Sequence, residues 1–462
     1  MNARRTEKYL ELFLFCGLLL VFLSIWKGDG GYLDLRQYLD NAENLWLKGQ
    51  LALPGYPGEP AHYHIHPLGT AVLAGPFVLL GAFADWLTGG ALGARNIAVL
   101  CIPVYAAFAC LLVYRIGRQL RLSALVSLWG AVILGVGSPM LSYTRMFFAE
   151  IGIILGICVA IHAFLKVRQS SDSKALAWAL LSGTGLASVA ACHFNSIFIS
   201  AGLWVGMVSA FCWEARGGRR TRFERIAALS TIPVLAGIGL LCMNKLRFGS
   251  PLSTGYEGPL AMVKHPFSVL NVPINLYYMG FWVLHVPWVM WAAFSLRRLW
   301  CAERGLTLGI CIATLAHLSF MLIYISLATF PIRHPLPVVA VLAPGLLLGG
   351  QVLWIRWQQR GLFYTATACI VWNAALFIRA DDGTQTFCFG PTGGPLNCFA
   401  WYMTPAGLDT FGTPMGFLQY CAFTALVLVG VIFIYGSVRQ AVWLDSPQCL
   451  PPGENSLVKV QD

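Results

Sequence analysis

The chain has 462 residues, 57% of them hydrophobic and only 11% charged, with a mean hydropathy of +0.67. A soluble domain of that length needs far more surface charge, so composition excludes a water-soluble globular enzyme. The net charge of +11 is not a nucleic-acid footprint, because Lys and Arg fall in short clusters between apolar runs, as topology signals do.

In chain order, Tyr9 to Trp26 is the first apolar run and follows Arg4, Arg5 and Lys8. It lacks a small-residue cleavage site and many runs come after it, so it reads as an uncleaved first helix. Runs near the length needed to cross the hydrocarbon follow at 95–114, 123–141, 150–166, 176–192, 196–213, 226–243, 280–296, 306–327, 335–353, 361–378 and 414–436. The run 67–87 is also apolar, and charge decides its fate. If it does not cross, the clusters Arg115/Arg118/Arg121, Lys166/Arg168/Lys174, Arg216 to Arg225, Arg297/Arg298/Arg304 and Arg356/Arg360 share the side of the N-terminus. If it crosses, they swap to the outside. The positive-inside rule therefore makes 67–87 interfacial or re-entrant, gives about twelve transmembrane helices and leaves both termini cytoplasmic. The fold class predicted is an all-α polytopic membrane protein, a single domain over 1–440 with a disordered cytoplasmic tail at 441–462. The outer face then collects the segments 27–94, 142–149, 244–279, 328–334 and 379–413, where function is expected.

The first outer segment contains Asp34, Tyr38, Asp40, Glu43 and Gly49. Leu35, Tyr38, Leu39, Ala42, Leu45 and Trp46 recur at helical spacing, predicting an amphipathic helix on the membrane surface. Asp34 followed by Gln37 fits a capping box, so the acid can start a helix as well as do chemistry. His62, His64 and His66 alternate along an extended segment and point one way, as a metal or phosphate site needs; without acids or cysteines nearby the metal signal is weak, and they read first as interfacial polar residues of which one or two bind substrate phosphate. Tyr143, Arg145 and Glu150 join two spans. The macrodipole favours Glu150 at a helix start, whereas Ile151 to Ile154 make a carboxylate there costly unless it is paired, with Arg145 the obvious partner. Lys245, Arg247 and Arg333-His334-Pro335 are outer cations that run against the charge rule. They point to an interfacial anion such as a lipid phosphate, or to headgroup snorkelling. Cys388 and Cys398 share one polar loop and are candidates for a disulfide. The sequence carries neither a P-loop nor a Rossmann glycine pattern, and charges are missing from mid-span positions, which weakens an ion-coupled transporter.

The order of these motifs resembles a GT-C-fold glycosyltransferase. The matching features are a first span, an outer helix reading D-x-x-x-Y-x-x-x-A-x(6)-G from Asp34 to Gly49, and His66-Pro67-Leu68-Gly69 before an interfacial run. Arg95-Asn96 through Tyr114-Arg115, then Ser138-Pro139, Tyr143, Arg145 and Glu150, are similar to the second and third helices of that fold, which deliver a second acidic motif outside. Phe248-Gly249-Ser250-Pro251 with Gly255-Tyr256 looks like a segment of the protein mannosyltransferase and aminoarabinose transferase group. The resemblance covers roughly the first 260 residues. It implies an inverting glycosyltransferase that moves a sugar from a polyprenyl-phosphate donor to a protein, lipid or glycan acceptor. The active site would face the periplasm, in a bacterial inner membrane, with no nucleic-acid partner. Asp34 matches the general base, and Glu150 matches an acid that orients the acceptor or completes a divalent cation site (Mg or Mn) with Asp34. Lys245, Arg247, Arg333, His64, His66, Arg145, Tyr38 and Tyr256 are the residues implied for substrate and phosphate. A lone Glu replaces the two-acid second motif of the metal-using branch. The competing expectation is a non-enzymatic flippase or transporter; a glycan ligase or polymerase ranks below it, because the acids here come early.

Overall fold

The computed structural model describes residues 3–26, 33–51, 67–91, 93–144, 147–170, 172–213, 218–253, 269, 272–286, 288–324 and 334–380. Every regular element among them is helical: α1 (Ala3–Ser24), α2 (Leu33–Lys48), α3 (Gly69–Leu87), α4 (Ala94–Val99), α5 (Cys101–Gln119), α6 (Ala124–Gly135), α7 (Met140–Tyr143), α8 (Ala149–Gln169), α9 (Asp172–Cys192), a 3-10 turn (Phe194–Ser196), α10 (Ile197–Trp213), α11 (Arg219–Phe248), α12 (Val272–His285), α13 (Trp288–Ala302), α14 (Arg304–Ile323), α15 (Leu336–Val341) and α16 (Ala343–Ala380). Among the described residues seven helices are long and apolar enough to cross a membrane.

Ion pairs at helix ends show which ends lie together. Arg115 and Arg118, at the end of α5, pair with Glu11 and Glu7 near the start of α1 at 2.7 and 2.9 Å. Arg168, closing α8, pairs at 3.1 Å with Glu303, which leads into α14. The N-terminus and three of the basic clusters therefore share one end of the bundle, as the charge argument expects. A fourth cluster joins them through α16. Gln358 (φ 52°, ψ −143°) breaks that helix. Gly350 before it packs on the Trp129 ring, and Thr365 after it accepts a hydrogen bond from the same indole at 3.1 Å. The two arms thus form a hairpin, matching the expected spans 335–353 and 361–378, with Arg356 and Arg360 at its bend.

Two expected spans need correcting. The run 123–141 is helical only to Gly135, where the chain turns before α7. The run 280–296 is broken between α12 and α13. Asn275 of α12 donates to the carbonyls of Met321, Leu322 and Tyr324 at the end of α14. Trp288, opening α13, donates to Gly137 beyond α6. Since α14 and α6 both start at the basic end, α12 runs across the opposite one. The run 414–436, the tail, and Cys388 and Cys398 lie outside the described residues.

The position of α3 bears on the run 67–87. By length and composition it could cross a membrane. Its start meets the far ends of the bundle: Gly69 packs on the Ala191 and Cys192 backbone, and Leu73 on Gly152. Its later turns meet α4 at Gly81 and Ala94. Both stretches lie at the end opposite the basic clusters, and α3 packs chiefly against α2 and α4. An apolar helix can therefore be held across one end of the bundle, which hydropathy alone cannot distinguish from a crossing.

Small residues hold the helices close where apolar side chains gain nothing against lipid. Gly202 and Gly206 of α10 face Ala313 and Gly309 of α14, and a Cβ at Gly206 would lie 2.3 Å from the Gly309 Cα. Nine described cysteines, Cys301 apart, are free thiols.

Candidate functional site

α2 is amphipathic, as its spacing predicts. Tyr38, Leu39, Asn41, Ala42 and Asn44 are buried, while Trp46 and Lys48 emerge. Two devices dock it. The Trp46 indole donates to the Ala71 carbonyl at 2.9 Å, lying against Gly75, where a Cβ would come within 2.2 Å of the ring. Arg95 of α4 then bonds both Glu43 oxygens at 2.9 and 2.7 Å and Asp40 at 2.5 Å. Asp40 and Glu43 are thereby answered by a cation and act as anchors. Asp34 is the second residue of α2, inside its first turn, so it does not occupy the N-cap position that the capping-box reading implies. Its side chain lies outside the description.

Glu150 sits in the first turn of α8 and is only 2% exposed. Burying a carboxylate costs several kcal/mol, whereas a helix N-terminus returns at most about 2 kcal/mol. The dipole alone therefore does not account for a charge there. The surroundings come from α3 and α9: Gly152, two residues on, abuts Leu73 and Cys192. α3 thus touches both the helix that carries Asp34 and the turn that carries Glu150.

The other expected site residues are spread more widely. Tyr38 is one turn beyond Asp34 and fully buried. Lys245 is exposed and Arg247 buried in the last turn of α11, where Gly249 (φ 78°) ends the helix and the Arg247 guanidinium lies 4.7 Å over the Phe248 ring. No contact described here brings them to Glu150. Arg145, His62, His64, His66, Tyr256 and Arg333 lie outside the described residues.

A second polar cluster joins His334, which the sequence placed among the outer cations, to three residues that the sequence did not single out. His193, Asn195, His317 and His334 are all buried where α9, the 3-10 turn, α14 and α15 meet. His193 accepts from the Asn195 backbone N–H at 3.4 Å, and the Asn195 side chain meets His334 Nδ1 at 3.5 Å. His317 lies between the Asn195 and His334 carbonyls at 3.2 and 2.9 Å. The visible signal was the three polar residues His193, Asn195 and Ser196 between two apolar runs. Among the described residues no group of three or more His, Cys, Asp or Glu could hold a metal ion. The expected divalent site pairs Glu150 with Asp34, whose side chain lies outside the described residues.

Fold and composition define a polytopic α-helical membrane protein. No family model matches the chain and no curated protein matches it. Among solved structures it is similar to the Archaeoglobus fulgidus oligosaccharyltransferase, crystallised as a complex with Zn and sulfate, at 15% identity and a TM-score of 0.44. The match covers 84% of this chain and 54% of that one, so the chain spans about half that protein's length. Likeness of this degree transfers no residue role.

Proposed function

We propose that the chain is an inverting glycosyltransferase that moves a sugar from a polyprenyl-phosphate donor to an envelope acceptor at the end of the bundle opposite the basic clusters. The observation that carries this reading is the buried Glu150 carboxylate, on the α3 platform that also receives the helix bearing Asp34. In the reaction an acceptor hydroxyl attacks the anomeric carbon, its proton passes to the Asp34 carboxylate, and the sugar–oxygen bond to phosphate breaks. The leaving phosphate is already anionic and needs donors more than a proton. Glu150 orients the acceptor. A flippase or transporter would need charge along a path through the bundle. The buried Lys, Arg, Asp and Glu among the described residues, Glu150, Arg225 and Arg247, each lie within two turns of a helix end.

The test is transfer from a panel of radiolabelled polyprenyl-phosphate sugars in proteoliposomes, comparing wild type with Asp34→Asn and Glu150→Gln. Loss of a general base lowers turnover by about 10²–10⁴-fold. Near-normal turnover by folded Asp34→Asn would remove the assignment of the base. Absence of transfer from every donor, with faster lipid scrambling, would replace the enzyme with a flippase.

A further inference from the structure

We propose that the outward face of α3 is a membrane-docking surface, seated on the acyl chains of the leaflet at the end opposite the basic clusters. Its side chains are sorted by size in the reverse of a water-facing helix. Ala71, Ala74, Gly75, Val78 and Gly81 are buried, and the two glycines let α3 approach the Trp46 ring and the Ala94 backbone. Val72, Leu79, Leu80, Phe83, Trp86 and Leu87 recur on the other face and are between 46% and 75% exposed. Phe83 and Trp86 stack there with centroids 6.0 Å apart. The one charged residue of the helix, Asp85, follows Gly81 by four residues on the inner side, so the outward stripe carries no charge. Large apolar side chains turned outward, with small ones turned in, suit an apolar medium and not water.

Continuity with the bundle identifies that medium as lipid. Phe77 of α3 meets the Tyr105 ring edge-on at 5.7 Å, and the Tyr105 hydroxyl donates to the Leu73 carbonyl at 2.5 Å. One turn further along α5, the exposed Phe108 packs at 4.8 Å on Phe15 of α1, close to the exposed Leu12 and Phe13. The stripe therefore joins the lipid-facing side of α5 and α1. Tyr105 lies in the second turn of α5, and Ala94, which Gly81 meets later along α3, comes before α5 begins. α3 thus does not descend along α5, and its stripe runs parallel to the membrane surface. Because α3 carries Trp46 of α2 and touches Gly152 through Leu73, its seat sets the depth of the helix bearing Asp34 and of the turn bearing Glu150. That consequence for catalysis rests on the function proposed above, whereas the docking itself does not.

The test places a nitroxide on p-acetylphenylalanine at Val72, Leu79, Phe83 or Trp86, one at a time, in the full chain in phosphatidylcholine nanodiscs. The ketone handle leaves the native cysteines unlabelled. Power saturation with oxygen and with a water-soluble nickel chelate reads the depth of each label. The four labels should lie within about 5 Å of one another, roughly 5–10 Å below the headgroup boundary. Labels at Val234 and Leu241 of α11, a helix long and apolar enough to cross, set the scale and should differ by about 10 Å. Depths that change by about 1.5 Å per residue, roughly 20 Å from Val72 to Trp86, would mean that α3 crosses, and would overturn the proposal. Four labels open to the nickel chelate would overturn it too. So would labels closed to both reagents, which a second copy or a protein partner over the stripe requires. Phe83→Ser with Trp86→Ser should lift the labels at Val72 and Leu79 toward water while α8 keeps its hydrogen-exchange protection; unchanged depths would count against docking. Equal depths in a protein that transfers no sugar would overturn only the enzyme reading.

Discussion

Arg95→Met tests how the candidate site is assembled. The substitution keeps the aliphatic stem and removes a guanidinium that makes three bonds, at 2.5, 2.7 and 2.9 Å, to Asp40 and Glu43. Buried charge-assisted bonds are worth about 1.5–3 kcal/mol each. The Arg95 side chain is 35% exposed, however, and solvent screens exposed pairs to about 1 kcal/mol or less. The clamp as a whole is therefore worth about 2 kcal/mol, or roughly a thirtyfold change in the docking equilibrium of α2. Removing it also leaves two carboxylates three residues apart on one helix face, which adds a few tenths of a kcal/mol of repulsion. Hydrogen exchange in nanodiscs should show amides 37–48 opening about thirtyfold more often, with α8 unchanged as the internal reference. Sugar transfer should fall with it while the protein stays folded. Unchanged exchange in α2 would refute the clamp, and equal acceleration across the bundle would mean that Arg95 supports the whole fold.

Two substitutions probe the packing itself. Gly206→Leu drives a side chain into the Gly309 backbone and should prevent recovery of monodisperse protein, whereas Gly237→Leu, with nothing within 4 Å among the described residues, should be tolerated. Size-exclusion profiles and thermal melts of the pair check this, and equal behaviour would deny a close α10–α14 contact. Asn41→Leu replaces a buried amide whose Nδ2 has no hydrogen-bond partner among the described residues, so it should raise stability by about 1 kcal/mol. A lower melting temperature would show that the amide is held by a contact that matters.

Much of the fold was legible because hydropathy and charge are properties of single segments. The apolar runs marked the helices, and the basic clusters marked one end of the bundle, as the Glu7–Arg118, Glu11–Arg115 and Arg168–Glu303 pairs show. Where local chemistry was ambiguous, tertiary contacts chose. The runs 123–141 and 280–296 carry breakers, Gly135, Gly137 and Pro139 in the first and Pro287 in the second, but a hydropathy reading passes over them and does not say whether the helix ends or only kinks. The site was legible in part for the same reason. Glu150 stood out as an acid against apolar neighbours, and its burial follows from α3 and α9 closing over it.

By itself the sequence determined a helical membrane protein, its polarity from end to end, and the placing of two acids at helix starts away from the basic end. Each of these depends only on which solvent a segment prefers. Tertiary structure alone decided that α3 lies against the far ends of α8 and α9, that Arg95 answers Asp40 and Glu43, and that Asn195 meets His334. Those partners are separated by 52 to 139 residues, and no local preference encodes such pairings. They exist because helices already fixed by lipid and water leave their polar groups only a few neighbours with which to bond.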